Sequence, residues 1–348
     1  MSKYIRPSIR AMAGYTPGEQ PRDGEFIKLN TNENPYPPSP RVFEALRDAL
    51  NGDRLRKYPD PVGTDFRQVV GRVLNVDPDG ILIGNGSDDV LTVVTRAFVP
   101  EGGLVVSPTP SYLLYRTLAD LQSARFETVP FGADWGLPEP WPLDRASLTF
   151  IANPNSPSGT QVSTAALERL RAELRGPLVV DEAYVDFAEE DALRLVRSGK
   201  DVLITRSLSK SYSLAGIRFG FLVGDPVVVR ELIKVKDSYN CDVLSQVAAA
   251  AALEDQEHMR ATRTKVIATR TRLQRELARL GFAVTPSRAN FVWCRRIDHP
   301  VKPIYEELKR RRILVRYMSF DCYGDGLRIS VGTDAEIDRL VGELGRIA

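Results

Sequence analysis

At 348 residues, with 47 basic against 45 acidic side chains and a net charge of +2, the chain has length for two hydrophobic cores. Its interspersed charges exclude the cationic tract of a nucleic-acid binder or a polybasic membrane anchor. The longest apolar runs, such as 247-VAAAAAL-253, fall short of the roughly 20 residues of a membrane span.

The opening MSKYIRPSIRAM lacks the apolar segment of a secretory signal. The first forty residues, rich in proline, glycine and asparagine and ending in 30-NTNENPYPPSP-40, predict an extended arm lying on another surface. RVFEALRDAL from residue 41 has helical periodicity, 57-KYPDPVG-63 forces a loop, and Phe66, Val69, Val70 and Val73 mark one face of the next helix. Then 81-ILI-83, a glycine turn and SDDVLTVVTRAF read as strand, turn and helix. The alternation recurs at 104-LVVSPTPSY-112, 148-LTFIANPNSPSG-159 before 164-TAALERLRAEL-174, 178-LVVDEAY-184, 202-VLITRSLSK-210 and 219-FGFLVG-224. Strands that are apolar throughout and separated by helices predict an α/β large domain, its mainly parallel sheet flanked by helices on both faces.

Beyond Asp225 come long helices rich in Arg and Lys, then 282-FAVTPSRANFVWC-294, 313-ILVRYM-318 and 327-LRISVG-332, which predict a smaller α+β domain. The expected division is an N-terminal arm and small-domain segment over 1–40, a large domain over 41–245 and a small C-terminal domain over 246–348. Cys241, Cys294 and Cys322 are unclustered, and neither His258 nor His299 has a cysteine nearby, so the sequence predicts a reducing, cytoplasmic setting, no metal site and a small-molecule partner.

In open parallel sheets, ligands bind at the carboxyl ends of the strands. Asp181 and Glu182 follow one strand directly, Lys210 follows another by a short loop, and Asn153 to Gly159 follow a third. The helix opened by Gly84-Asn85-Gly86-Ser87 offers backbone N–H groups to a phosphate, and Arg218, Ser207 and Ser209 supply a forked cation and hydroxyls for the same anion. A ligand with a phosphate, an electrophilic carbon for an amine and a basic ring nitrogen for a carboxylate uses all of these groups. Pyridoxal 5'-phosphate has that chemistry, with Lys210 as Schiff-base lysine and Asp181 as partner of the pyridinium.

SLSKSYSLAGIRFG, DEAY, NPNSPSG, GNGSDD, LNTNENPYPPSP, YPDPVG and LRISVGT together resemble the fold-type I PLP-dependent aminotransferases, specifically the histidinol-phosphate aminotransferases of the class-II family, nearly end to end. The resemblance implies transamination between L-histidinol phosphate with 2-oxoglutarate and imidazole-acetol phosphate with L-glutamate, a step of histidine biosynthesis. It implies that Tyr184 bonds the cofactor's phenolic oxygen, that Tyr112 stacks on its ring, and that Gly86, Ser87, Ser207, Ser209 and Arg218 form the phosphate cup. Tyr58 matches a tyrosine that reaches the neighbouring subunit's cofactor, which implies a homodimer with shared active sites. Arg328 matches the arginine for the carboxylate of glutamate and 2-oxoglutarate, Arg316 the one for the substrate phosphate, and Tyr15 and Asn32 match positions that close over the substrate.

One position departs from the pattern. Where the family reads NPNNPTG, this chain has Ser156 in place of the asparagine that bonds the phenolic oxygen. Either the shorter hydroxyl holds a water there or Asn155 turns in. Within the same fold, an aromatic amino-acid aminotransferase would share the cofactor residues, and a threonine-phosphate decarboxylase would keep the phosphate arginine. A non-catalytic phosphate-binding α/β protein would account for GNGSDD and Arg218 but leaves Lys210, Asp181 and Tyr184 unexplained. A NAD-dependent dehydrogenase is disfavoured because no G-x-G-x-x-G opens a helix after the first strand.

Overall fold

A computed structural model of the chain describes residues 4–12, 14, 18–21, 24–199, 201–321 and 323–347. In chain order its strands are β1 (Ile27–Leu29), β2 (Ile81–Gly84), β3 (Leu104–Thr109), β4 (Arg125–Pro130), β5 (Leu148–Ala152), β6 (Leu178–Asp181), β7 (Val202–Ser207), β8 (Gly220–Val223), β9 (Ala283–Thr285), β10 (Phe291–Arg295), β11 (Ile313–Phe320) and β12 (Gly324–Ser330). They form a seven-stranded sheet, ordered β2-β8-β7-β6-β5-β3-β4, and a five-stranded sheet, ordered β1-β11-β12-β10-β9.

In the larger sheet only β8 runs antiparallel to its neighbours, so β2, β3, β5, β6 and β7 all present their carboxyl ends at one edge. Successive residues of a strand point to opposite faces. Here the two faces are equally dry: Ile151, Val180, Ile204 and Phe221 enter one hydrophobic core, while their neighbours Phe150, Val179, Leu203 and Leu222 enter the other. That double burial produces continuous apolar runs and a sheet covered on both sides.

Strand β4 was not expected from sequence. It is an edge strand, paired only to β3, and RFETVP buries one residue of its six, so it carries no apolar run. The expected arm also becomes a strand over three residues: β1 pairs in parallel with β11, and Leu29 joins the core of the small domain. This pairing anchors the arm just before Thr31 and Asn32, which it carries across to the active edge of the large sheet. The expected boundary after residue 245 falls inside the helix Val243–Glu254, whose buried Ala248, Ala249 and Ala252 belong to the large-sheet core. That core continues into the next helix, Gln256–Arg279, through Met259, while Leu273 and Leu277 of the same helix belong to the core around the smaller sheet.

Beneath the sheet edge lies a buried ion pair. Arg206 Nε donates to Glu182 Oε2 at 2.9 Å, its Nη2 reaches Asp191 at 3.0 Å, and Glu182 Oε1 accepts the Ala192 N–H at 2.6 Å. Strand alternation explains the arrangement, because Asp181 pairs in register with Thr205 on one face while Glu182 and Arg206 point to the other. Removing one partner strands the other charge away from water. Arg206→Ala is expected to destabilise the fold by about 3–5 kcal/mol, read as a fall in the urea midpoint; an unchanged midpoint would show that the pair contributes nothing.

Candidate active site

The strand ends surround a cavity of about 250 Å³ whose lining combines both domains with the arm. At its base the helix Ser87–Phe98 begins after Gly86, which has φ 84 and no capping side chain, leaving the first N–H groups facing the cavity edge. Glycine is needed at two positions here, at Gly86 for its positive φ and at Gly220 for a close backbone approach. A Cβ on Gly86 would lie 2.5 Å from Arg218 Nη2, and one on Gly220 would lie 2.4 Å from the Ser87 nitrogen. Arg218, at φ 54, donates to Ser209 Oγ at 3.4 Å, and the Ser209 N–H donates to Ser207 Oγ at 3.2 Å. Gly86, Ser87, Ser207, Ser209 and Arg218 thus meet in one place.

Asp181 borders the cavity at the end of β6, buried, with Oδ2 accepting from the Tyr115 hydroxyl at 2.8 Å. Its Oδ1 accepts from Thr205 Oγ1 at 3.1 Å and the Ala183 N–H at 3.3 Å. Burial pushes its carboxyl up to about 6, held back by the Tyr115 and Thr205 hydroxyls. Tyr112 lines the same wall and donates to Asp88 Oδ1 at 3.2 Å. Tyr184 faces Lys210, whose amine lies 5.7 Å from the ring centre, and the Tyr184 hydroxyl accepts from Asn32 Nδ2 at 3.0 Å. Asn32 is held in turn by the small domain: its N–H donates to Ser330 Oγ at 2.8 Å, and its carbonyl accepts from Asn290 Nδ2 at 2.9 Å.

The Lys210 amine projects into the cavity and donates to the Thr31 carbonyl at 3.3 Å. Desolvation, with repulsion from Arg328 and Arg218 added, lowers its pKa to about 8 against Glu33 and Asp88, which act the other way. Only the neutral amine is a nucleophile. In the ligand-free protein, labelling of Lys210 by an amine reagent is therefore expected to rise with pH and level off above about 8 rather than near the ordinary 10.5. Mass spectrometry of the Lys210 peptide after timed labelling measures this, and a rate still climbing steeply at pH 10 would contradict it.

From the small domain come Arg316 and Arg328, paired directly opposite across β11 and β12 and both lining the cavity. Arg328 Nη1 donates to Ser156 Oγ at 3.0 Å and Nη2 to the Asn30 carbonyl at 3.1 Å. Ser156 lines the cavity, while the Asn155 side chain is bonded into the loops beside it. Its amide donates to the Pro110 carbonyl at 3.1 Å and Ser158 Oγ at 2.9 Å, and its oxygen accepts from Ser111 Oγ at 2.9 Å. Those bonds tie two strand-end loops together and consume its polar groups. Tyr58 lies outside the cavity, 80% exposed and stacked on Tyr239 at 4.4 Å. Tyr15 lies outside the described residues.

Sequence reading overlooked Tyr115, Thr205 and Asp88. Tyr115 sits three residues after Tyr112, in PSYLLY, and its N–H donates to the Tyr112 carbonyl at 3.3 Å in the turn that leads into the helix. That spacing was the available signal.

A lysine amine, a buried carboxylate and an arginine-serine cradle at the carboxyl edge of such a sheet define a class of protein. The family profile of aminotransferase class I and II matches residues 24–344, and the chain belongs to that family. It is 53% identical over 336 residues to a histidinol-phosphate aminotransferase of Rhodopirellula baltica, covering 96% of this chain and 92% of that one. With histidinol-phosphate aminotransferase 1 of Trichormus variabilis the identity is 48%, over 99% of both chains. The crystal structure of histidinol-phosphate aminotransferase from Sinorhizobium meliloti in complex with pyridoxal-5'-phosphate superposes with a TM-score of 0.90 at 28% identity, covering 99% of this chain and 98% of that one.

Proposed function

We propose that this enzyme is a pyridoxal 5'-phosphate-dependent transaminase that converts L-histidinol phosphate and 2-oxoglutarate into imidazole-acetol phosphate and L-glutamate, in histidine biosynthesis. The observation that carries this reading is the convergence of Lys210, Asp181 and Arg218 with the opposed Arg316 and Arg328 on one cavity. The residues fit the cofactor: the Gly86 turn, at φ 84, brings backbone rather than a side chain to the head of the helix beside Arg218, and Asp181 is a buried acid at the cavity wall. When bound, the cofactor supplies an electrophilic carbon and a ring that withdraws electrons from the substrate's Cα.

The chain's residues then divide the work. Gly86 and Ser87, with Ser207, Ser209 and Arg218, hold the phosphate through N–H, hydroxyl and guanidinium donors. With the cofactor bound, Asp181 would hold a proton at the ring nitrogen, Tyr112 would pack against the ring, and Tyr184, oriented by Asn32, would donate to the phenolic oxygen. Lys210, whose desolvated amine has a lowered pKa, would hold the cofactor through its amine and, once released, would move the proton from the substrate's Cα as general base. Arg328, steadied by Ser156, takes the carboxylate of glutamate and 2-oxoglutarate, while Arg316 takes the substrate phosphate. Asn32, carried on the arm, closes over the substrate.

The exposed Tyr58–Tyr239 stack supports a homodimer in which Tyr58 reaches the neighbouring site. Among the described residues no helix is long and apolar enough to cross a membrane. A cytoplasmic location rests on the biosynthetic reaction and the unclustered cysteines.

The deciding experiment is a single-turnover absorbance measurement on the cofactor-loaded protein mixed in turn with L-histidinol phosphate, histidinol, phenylalanine and glutamate. Conversion with histidinol phosphate and glutamate, and weak conversion with the other two, is expected. Equal conversion by phenylalanine would make the protein an aromatic aminotransferase, and release of CO₂ from threonine phosphate would make it a decarboxylase.

A further inference from the structure

We propose that Tyr115 is a positioning residue: its hydroxyl, together with that of Thr205, holds the Asp181 carboxylate ionised and aimed at the cavity. This rests on the reading of Asp181 as partner of the cofactor's ring nitrogen. The observation behind it is a polar group where packing alone asks for none. Tyr115 is fully buried on the helix Leu114–Leu121, stacked on Phe150 of β5 at 4.6 Å and 5°, and edge-on to Tyr112 at 5.6 Å. A phenylalanine would make the same ring contacts, and a buried hydroxyl is unfavourable unless it is hydrogen-bonded. Its hydrogen bond is the 2.8 Å contact to Asp181 Oδ2.

A carboxylate offers about four acceptor sites. Tyr115, Thr205 and the Ala183 N–H occupy three of those on Asp181, which leaves one for a donor in the cavity. Tyr115 stays a donor throughout the ordinary pH range, because burial and the Asp181 charge raise its own pKa well above the usual value. The titratable groups facing Asp181 are Tyr115 from its helix, Tyr184 from the loop after β6, and Asp88 from the first turn of Ser87–Phe98. Burial and Asp88 favour the protonated carboxyl; the two hydroxyls and the Ala183 N–H favour the carboxylate.

The sign of the effect follows. As pH falls through about 6, Asp181 takes up a proton that it must release to pair with a protonated ring nitrogen, so cofactor affinity declines. Losing the Tyr115 donor makes the carboxylate harder to form and moves that decline to higher pH. The test is pyridoxal phosphate affinity of the cofactor-stripped full chain across about pH 5 to 8, followed by fluorescence, with thermal unfolding as the folding control. For Tyr115→Phe the midpoint is expected to move up by about one pH unit, with roughly tenfold weaker binding on the acid side. Thr205→Val should move it in the same direction.

A chain carrying 3-fluorotyrosine at position 115 alone keeps the shape and strengthens the donor, so its midpoint should move down. It also provides the answer if Tyr115→Phe does not fold. Profiles that superimpose on the wild type in the fluorinated chain, or in a folded Tyr115→Phe, would reduce Tyr115 to packing. Failure of the wild type itself to bind pyridoxal phosphate at any pH would instead overturn the functional reading on which the proposal rests.

Discussion

Lys210→Ala is expected to give a folded protein whose transamination rate is lower by at least about 10²–10⁴-fold, the usual range for a positioned acid-base group. The fold should survive because the side chain is held by little. Its amine makes one long hydrogen bond, to the Thr31 carbonyl, and sits over the Tyr184 ring, and neither contact supports a hydrophobic core. The chemistry should fail because, among the described residues, no other lysine lines the cavity. Arg218, Arg316 and Arg328 line the cavity too, but guanidinium groups do not give up a proton near neutral pH. Two measurements separate the roles of Lys210: borohydride reduction should fix the cofactor to the wild-type chain and leave it removable from the variant, and single turnover with glutamate should collapse. Turnover within tenfold of the wild type would sink the assignment of Lys210 as base.

The reach of the sequence depended on how locally each feature is encoded. The central strands were legible because both faces of the sheet are buried, so a run such as LVV at 178 has no polar interruption. Strand β4 was not, since an edge strand with five of its six residues outside the core reads as loop. Asp181 and Lys210 were legible as cavity residues because they end or closely follow such strands, and Arg218 because it stands just before β8. The partnership of Tyr115 with Asp181 spans 66 residues, and a tyrosine within an apolar helix reads as core. The bonds of Asn155 were illegible for a related reason. Its amide is committed to Pro110, Ser111 and Ser158, and the contact with the loop at 110–111 arises only when β3 and β5 lie side by side.

The opposition of Arg316 and Arg328 is also a product of register, and it carries the second large prediction. Two guanidinium groups directly opposite on neighbouring strands repel each other, and an anion between them turns that repulsion into attraction. A carboxylate bound by Arg328 through two charge-assisted hydrogen bonds loses roughly 1.5–3 kcal/mol for each one removed. Arg328→Ala is therefore expected to lower kcat/KM for glutamate and 2-oxoglutarate by about two orders of magnitude or more. Arg316→Ala should instead raise KM for histidinol phosphate much more than KM for 2-oxoglutarate, since a phosphate near pH 7 carries more charge than a carboxylate and gains more from the second cation. A readout independent of turnover is thermal stabilisation of the ligand-free chain by inorganic phosphate, which follows the ligand's affinity for the folded state. That stabilisation should shrink in Arg316→Ala. Equal losses for both substrates, with stabilisation by phosphate unchanged, would move the phosphate away from Arg316 and leave Arg328 to bind both anions.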